Sequence, residues 1–163
     1  MAKHVWSVLC YKGCLDQYTN QVSLLDVIEG IIIKPMEPVP EIPMGKEIHL
    51  PVQMSLVSLW IRSDMAVPEE PMTRVRTIVP GGASRSPQMI KIDLTKYPRT
   101  RNFLRFETLP FHGEGFFYFM IELHDAASGE WRTLAEIPLE LKVEPYTALE
   151  GAATRSEQKP AQR

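Results

Sequence analysis

The sequence has few cysteines, no long apolar run and no recognisable catalytic motif. Only Cys10 and Cys14 are present among 163 residues, too few for a disulfide framework, which agrees with a reducing compartment. No apolar run approaches the ~20 residues of a membrane-spanning helix, and the N-terminal residues lack the apolar core of a secretory signal. We therefore expect a cytoplasmic protein with no membrane partner.

No segment has a convincing helical period, and the fourteen prolines disfavour helices. Between His4 and Glu144 apolar and polar residues alternate instead, which is typical of β-strands. We predict about eight strands, one of them interrupted near Gly30. Their predicted ranges are 3–12, 22–34, 50–63, 73–79, 88–95, 101–109, 116–123 and 131–144.

These strands predict an all-β fold with two antiparallel sheets packed as a β-sandwich, immunoglobulin-like or jelly-roll-like. A closed barrel is the alternative. We expect residues 1–146 to form one domain and residues 147–163 to be a disordered tail, because they are small, polar and charged. Four prolines between residues 35 and 45 predict an extended crossover loop.

Candidate catalytic and metal-binding groups are few. His4, Cys10 and Cys14 have no second cysteine or histidine pair downstream, so a zinc site is not indicated. His112 and His124 fall at opposite ends of one predicted strand, up to ~40 Å apart. We predict no catalytic residue, no metal and no cofactor.

The charge is unevenly distributed. Residues 74–105 contain eight basic residues and one acidic residue, although the whole chain carries −2. If the three strands in this range pair with one another, their outward side chains form one basic face for a protein or a small anionic ligand. The chain as a whole is mildly acidic, which argues against nucleic acid as the binding partner. The predicted binding residues are Arg74, Arg76, Lys91, Arg101, Phe103 and Arg105.

Two further interpretations concern the sheet surfaces. The basic face is alternatively a solvated surface balanced by acidic neighbours on adjoining strands, namely Glu122, Glu136 and Glu140. On the outward face of the 116–123 strand, apolar side chains follow one another, which predicts a homo-oligomer contact. The residues of that contact are Phe116, Tyr118 and Met120.

Three segments resemble a family of small uncharacterised bacterial proteins, a domain of unknown function. They are TNQVSLLDV at 19–27, GEGFFYF at 113–119 and AEIPL at 135–139. The resemblance covers most of the chain and implies a bacterial, cytoplasmic β-sandwich. It implies no catalytic residue.

The sequence thus favours a non-enzymatic β-sandwich module that binds a protein or a small anionic partner through a surface patch. One alternative is a small enzyme with a site around His112, Glu114 or His124, the available acid–base groups. Another is a structural subunit of an oligomeric assembly.

Overall fold

The part of the chain that the structure describes contains nine β-strands, in agreement with the predicted all-β class. The structure, a computed structural model, describes residues 2–35 and 48–146, of which 67% are strand and none is helix. No helix capable of crossing a membrane occurs in these two ranges. The strands are β1 (Lys3–Leu15), β2 (Val22–Val27), β3 (Gly30–Ile33), β4 (Ile48–Ile61), β5 (Met72–Ile78), β6 (Gln88–Lys91), β7 (Arg99–Phe111), β8 (Gly115–Asp125) and β9 (Glu130–Val143).

The strands form two sheets. Sheet A has the order β2-β1-β4-β7, and sheet B has the order β3-β9-β8-β5-β6 and is strongly curled. All named pairs are antiparallel except β3 with β9, which is parallel. The expectation of purely antiparallel sheets is therefore wrong for that pair.

The ninth strand arises because the 22–34 segment divides between the sheets. Asp26 has a φ of 52°, and the amide of Ile28 donates to the carbonyl of Leu9 in sheet A. One residue later, the carbonyl of Glu29 accepts from the amide of Glu140 in sheet B. The predicted break near Gly30 is thus the point at which the chain changes sheet.

One apolar cluster contains residues of both sheets. Alternate residues of β8 point into it, and Phe117, Phe119 and Ile121 are fully buried. Leu56 and Trp60 of β4 belong to the same cluster. Each of these side chains stabilises the fold by about 2–3 kcal/mol through burial. The predicted central position of the 50–63 strand and the predicted core face of the 116–123 strand are confirmed.

The β1–β2 hairpin crosses over the outer face of sheet A. Pairing of β1 with β4 ends at Cys10, opposite Ser55, yet Gly13 lies against side chains farther along the sheet. A Cβ at Gly13 would lie 2.6 Å from Cε1 of Phe103 and 3.2 Å from Cγ2 of Val57. The hairpin therefore covers an apolar layer outside the main core, in which Cys10 and Val57 are fully buried.

Two sequence expectations fall outside the described ranges. Most of the proline-rich crossover segment, residues 36–45, is one of them, and the C-terminal tail of residues 147–163 is the other. The single domain expected over residues 1–146 remains a prediction.

Candidate functional site

The three strands expected to carry one basic face do not form one sheet. β5 pairs with β6 in sheet B, but β7 pairs with β4 in sheet A. The premise of a single basic surface is therefore wrong. Its members divide between the sheets, with Arg74, Arg76 and Lys91 in sheet B and Arg101, Phe103 and Arg105 in sheet A.

The separation follows from how the chain leaves β6. Ile92 and Leu94 continue the apolar alternation of β6, but they are buried in the core outside any named strand. Arg62, at the end of β4, holds this turn through its buried guanidinium. It donates to the carbonyls of Leu94 at 2.7 Å, Thr95 at 2.9 Å and Met65 at 2.8 Å. The chain then enters β7 beside β4.

Arg74 and Arg76 bind a buried carboxylate on the outer side of sheet B. Glu122 is 2% exposed and accepts from Arg74 Nε at 2.6 Å and from Arg76 Nη2 at 2.6 Å. Burial alone raises the pKa of Glu122, but the two guanidinium groups more than offset it, so its pKa is lowered. The Arg74 guanidinium also stacks 4.0 Å above the Trp131 ring. This cluster matches the interpretation in which acidic neighbours balance the basic strand.

Lys91, the third predicted binding residue in sheet B, is also paired. Lys91 Nζ lies 3.1 Å from Oε1 of Glu70, and both side chains are largely exposed. The hydrogen bond and charge of Glu70 raise the pKa of Lys91. Such an exposed pair contributes little to stability.

A groove opens where sheet A divides. Beyond Cys10 and Ser55, β1 continues with β2 and β4 continues with β7. The space between the diverging strands has a volume of about 1190 Å³. Its walls are the distal half of β1, the start of β4 and the middle of β7, and include Tyr11, Lys12, Leu15, Pro51, Gln53, Phe103, Arg105 and Glu107.

The groove contains two of the predicted binding residues together with others that were not predicted. Phe103 lies beneath Gly13 and forms part of the wall, and Arg105 lines the groove with an exposed side chain. Lys12 adds a second cation. Neither cation has a side-chain hydrogen bond or ion pair to a residue in ranges 2–35 and 48–146. Between the two strands, the Tyr11 hydroxyl of β1 donates to Gln53 Oε1 of β4 at 3.2 Å.

Arg101 lies outside the groove. Its Nη1 donates to Oδ1 of Asn20, at the tip of the β1–β2 hairpin, at 3.1 Å. Asn20 has a φ of 54°, a backbone conformation that asparagine tolerates better than most residues. The contact ties the hairpin to β7, so Arg101 positions one wall of the groove.

The predicted oligomer residues lie together on the outer face of sheet B. Phe116 is 47% exposed and stacks on Tyr118, with ring centroids 6.1 Å apart. Met120 follows on the same face and is half-buried. No contact in the structure tests an oligomeric role for them.

The histidines and glutamate of the enzyme alternative are not brought together. His112 accepts a hydrogen bond at Nε2 from Arg85, because a guanidinium can only donate. Glu114 accepts from the amide of Val143, and His124 packs edge-on against Trp131 at the far end of β8. Partial burial and the charge of Arg85 lower the pKa of His112.

Two side-chain hydrogen bonds near the start of β1 were not predicted. His4 Nε2 lies 2.7 Å from Ser7 Oγ, and Trp60 Nε1 donates to Ser58 Oγ at 2.9 Å. Ser7 and Ser58 are opposite each other in the β1–β4 ladder. Burial lowers the pKa of His4, although a backbone hydrogen bond to Trp6 opposes this. Each hydrogen bond is local in sequence, and cross-strand pairing of β1 with β4 places the two serines opposite each other.

The two cysteines take no part in these hydrogen bonds. Cys10 is buried, and burial raises the pKa of its thiol, with the nearby Cys14 adding to the effect. Cys14 is exposed. Over the parts of the chain that the structure describes, no three His, Cys, Asp or Glu side chains are grouped to hold a metal ion.

Comparison with known proteins adds no relative. No family model, no curated protein and no solved structure matches this chain.

Proposed function

We propose that this protein is a non-enzymatic β-sandwich module that binds an extended, acidic segment of a partner protein in the groove between β1 and β4. The observation that supports this proposal is the separation of β1 from β4 within sheet A. The strands diverge after Cys10 and Ser55, so two strand edges face each other across the groove without pairing. The sandwich arrangement is supported by the apolar cluster to which both sheets contribute.

Diverging strand edges suit an extended peptide. A peptide that lies along an exposed strand edge gains main-chain hydrogen bonds, and its alternate side chains enter the pockets on either side. The groove volume of about 1190 Å³ exceeds the ~300–1000 Å³ typical of small-ligand pockets. Its size and open form therefore favour a segment of polypeptide over a metabolite.

The lining determines the chemistry of the peptide. Lys12 and Arg105 offer cationic groups that no other described residue engages, so they favour aspartate or glutamate side chains. Phe103, Leu15 and Pro51 offer apolar contacts between them. The expected segment therefore alternates apolar and acidic residues.

The same lining supports a binding role without turnover. Among the residues that the structure describes, no histidine and no cysteine line the groove, so these offer neither an imidazole as general base nor a thiol as nucleophile. The histidines of the enzyme alternative lie elsewhere and are held by neighbouring residues.

A peptide-display selection tests the proposal. Random peptides are selected against the wild-type protein and against the double variant Lys12→Glu/Arg105→Glu. We expect the wild type to enrich acidic, apolar peptides whose binding weakens with salt, and the double variant to lose them. Phosphate is added as a competitor, and complete displacement by it would favour a small anion as the ligand.

Lys3→Glu/Arg99→Glu is the matched control. Lys3 and Arg99 are also on β1 and β7, but they flank Ile61 at the opposite end of sheet A. This variant carries the same change in net charge, so it is expected to bind the selected peptides with little loss. Equal loss in both double variants would show that only total charge matters and would refute the groove as the site.

A further inference from the structure

The outer face of sheet B presents more apolar surface than a solvated sheet face needs. Phe116 is 47% exposed on β8, Ile32 is 58% exposed on β3, and Met89 is 55% exposed on β6. Register places all three on the side away from the core, because Ile31, Phe117 and Ile90 on the same strands pack into it. On β8 itself, Phe116, Tyr118 and Met120 follow one another on this face and are partly exposed, and an apolar stripe of this kind marks an interaction site.

Charges flank this apolar stripe asymmetrically. Arg76, Met120 and Glu136 are direct neighbours across β5, β8 and β9. On the β5 side, Arg74 and Arg76 share the single carboxylate of Glu122, which leaves a net positive charge. On the β9 side, Glu136 is exposed and has no hydrogen bond or ion pair to the described part of the chain.

This asymmetry matters for pairing with an identical surface. Two copies of one face can meet only through a two-fold axis that lies in the plane of contact. An axis perpendicular to β8 places the arginine side over the arginine side of the other copy, which is repulsive. An axis parallel to β8 places Arg76 of each copy over Glu136 of the other, which gives two ion pairs. The same axis places the two Met120 side chains opposite each other.

We propose that the outer face of sheet B binds a second copy of this chain, with a two-fold axis parallel to β8. Phe116, Tyr118 and Met120 form the apolar centre of the contact, and Arg76 pairs with Glu136 across it on both sides. The charge pattern is self-complementary in this arrangement, which is the reason for assigning the surface to a second copy. The proposal is independent of the groove, which lies in sheet A.

Because sheet B curls around the core, its outer face is convex. Two convex faces touch along a stripe parallel to the strands, so the contact is centred on β8 and its two neighbours. A narrow contact of this type gives a reversible dimer whose population depends on protein concentration.

Sedimentation velocity over a range of protein concentrations tests the proposal. We expect a monomer–dimer equilibrium for the wild-type chain. Phe116→Lys is expected to abolish the dimer, since it brings two cations together near the axis. The matched control is Val27→Lys, at a residue 57% exposed on β2 of the other sheet. Circular dichroism confirms that both variants are folded.

Charge reversal tests the orientation. Glu136→Arg is expected to raise the dimer dissociation constant by about tenfold or more, because two ion pairs become two repulsions. High salt is expected to weaken the wild-type dimer and to reduce this difference.

Chemical cross-linking separates the two possible axes. In a Cys14→Ser background, the single variants Phe116→Cys and Met120→Cys are treated with a short bis-maleimide. The two positions are about 13 Å apart along β8. An axis parallel to β8 lets each variant cross-link to its own copy. A perpendicular axis lets at most one of them do so. Cross-linking of only one variant, or a wild-type chain that is monomeric at every concentration, would overturn the proposal.

Discussion

Gly13 shows how a single residue determines the position of a hairpin. A side chain there would meet the Phe103 ring and Val57, so glycine allows β1 to lie close against the outer face of sheet A. Sequence alternation marked Gly13 only as the end of a strand. Its packing role depends on residues of β4 and β7 that are distant in sequence, so the sequence alone could not reveal it.

Gly13→Ala is expected to lower the free energy of unfolding by about 1–3 kcal/mol, as overpacking does. Combining it with Phe103→Ala, which removes the obstructing ring, is expected to cost less than the two single changes added together. Urea unfolding of the four proteins in this cycle gives the coupling. Strict additivity would contradict the contact.

Glu122 is the second residue with a specific prediction. Its carboxylate is stabilised in the folded protein by Arg76 and Arg74, so its folded pKa is below the ordinary value of 4.5. The ionised Glu122 carboxylate and its two arginines therefore contribute stability to the folded state. This contribution is complete above pH 4.5 and is lost as the pH falls through the folded pKa of Glu122. Glu122→Gln is expected to cost about 1–3 kcal/mol at neutral pH.

Urea unfolding at a series of pH values checks this dependence. The difference between wild type and Glu122→Gln is expected to shrink as the pH falls below 4.5. Glu107→Gln, at an exposed residue, is the control and is expected to stay within about 0.5 kcal/mol of wild type. A difference that stays constant on acidification would contradict the account of Glu122.

At the scale of elements, alternation located the strands well. The predicted segments correspond to β1 through β9 because burial on one face imposes a two-residue period. Alternation does not show which strand pairs with which. β7 lies in sheet A because the buried side chains that follow β6 lead the chain from sheet B to sheet A. The parallel pairing of β3 with β9 joins strands that are far apart in sequence, so no local pattern indicates it.

Pro138 lacks an amide hydrogen, so its place in the sequence indicates a sheet edge or a bulge where the strand could change sheets. β9 stays in sheet B throughout, and Pro138 lies opposite Tyr118 of β8. On its other side, pairing with β3 begins only at Glu140, so this part of β9 is a local edge. The bulge lies elsewhere in β9: Ile121 pairs with Ala135 and Glu122 with Thr133, so Leu134 is the extra residue.

Arg62 connects two elements, and its removal tests that connection. Arg62→Ala removes three charged hydrogen bonds to backbone carbonyls, of which that of Leu94 is buried, and is expected to cost about 2–4 kcal/mol. Arg62→Lys is expected to be intermediate, because an ammonium group cannot span all three acceptors.

Chemical denaturation gives these costs, and hydrogen exchange of residues 92–98 is expected to accelerate in both variants. Arg132→Ala, at an exposed residue of β9, is the control and is expected to stay within about 0.5 kcal/mol of wild type. A wild-type stability for Arg62→Ala would show that another contact holds the turn.

At the scale of the whole molecule, the candidate site depends on the departure of β1 from β4. Phe103 and Arg105 were predicted as binding residues from the uneven charge and from alternation. Lys12, Tyr11 and Gln53 were not predicted, because the crossing of the hairpin, which alternation does not show, places the end of β1 beside the start of β4. Of the predicted basic surface, Arg74 and Arg76 form an ion-pair cluster with Glu122 in sheet B. Phe103 and Arg105 line the groove in sheet A.

The most direct test of the groove as the binding site is an amide NMR titration with a peptide selected on the wild-type protein. The account predicts that shift changes concentrate at residues 11–15, 52–55 and 103–107, and that Lys12→Glu/Arg105→Glu removes them. Changes confined to the outer face of sheet B, or to the end of sheet A near Lys3 and Arg99, would contradict it.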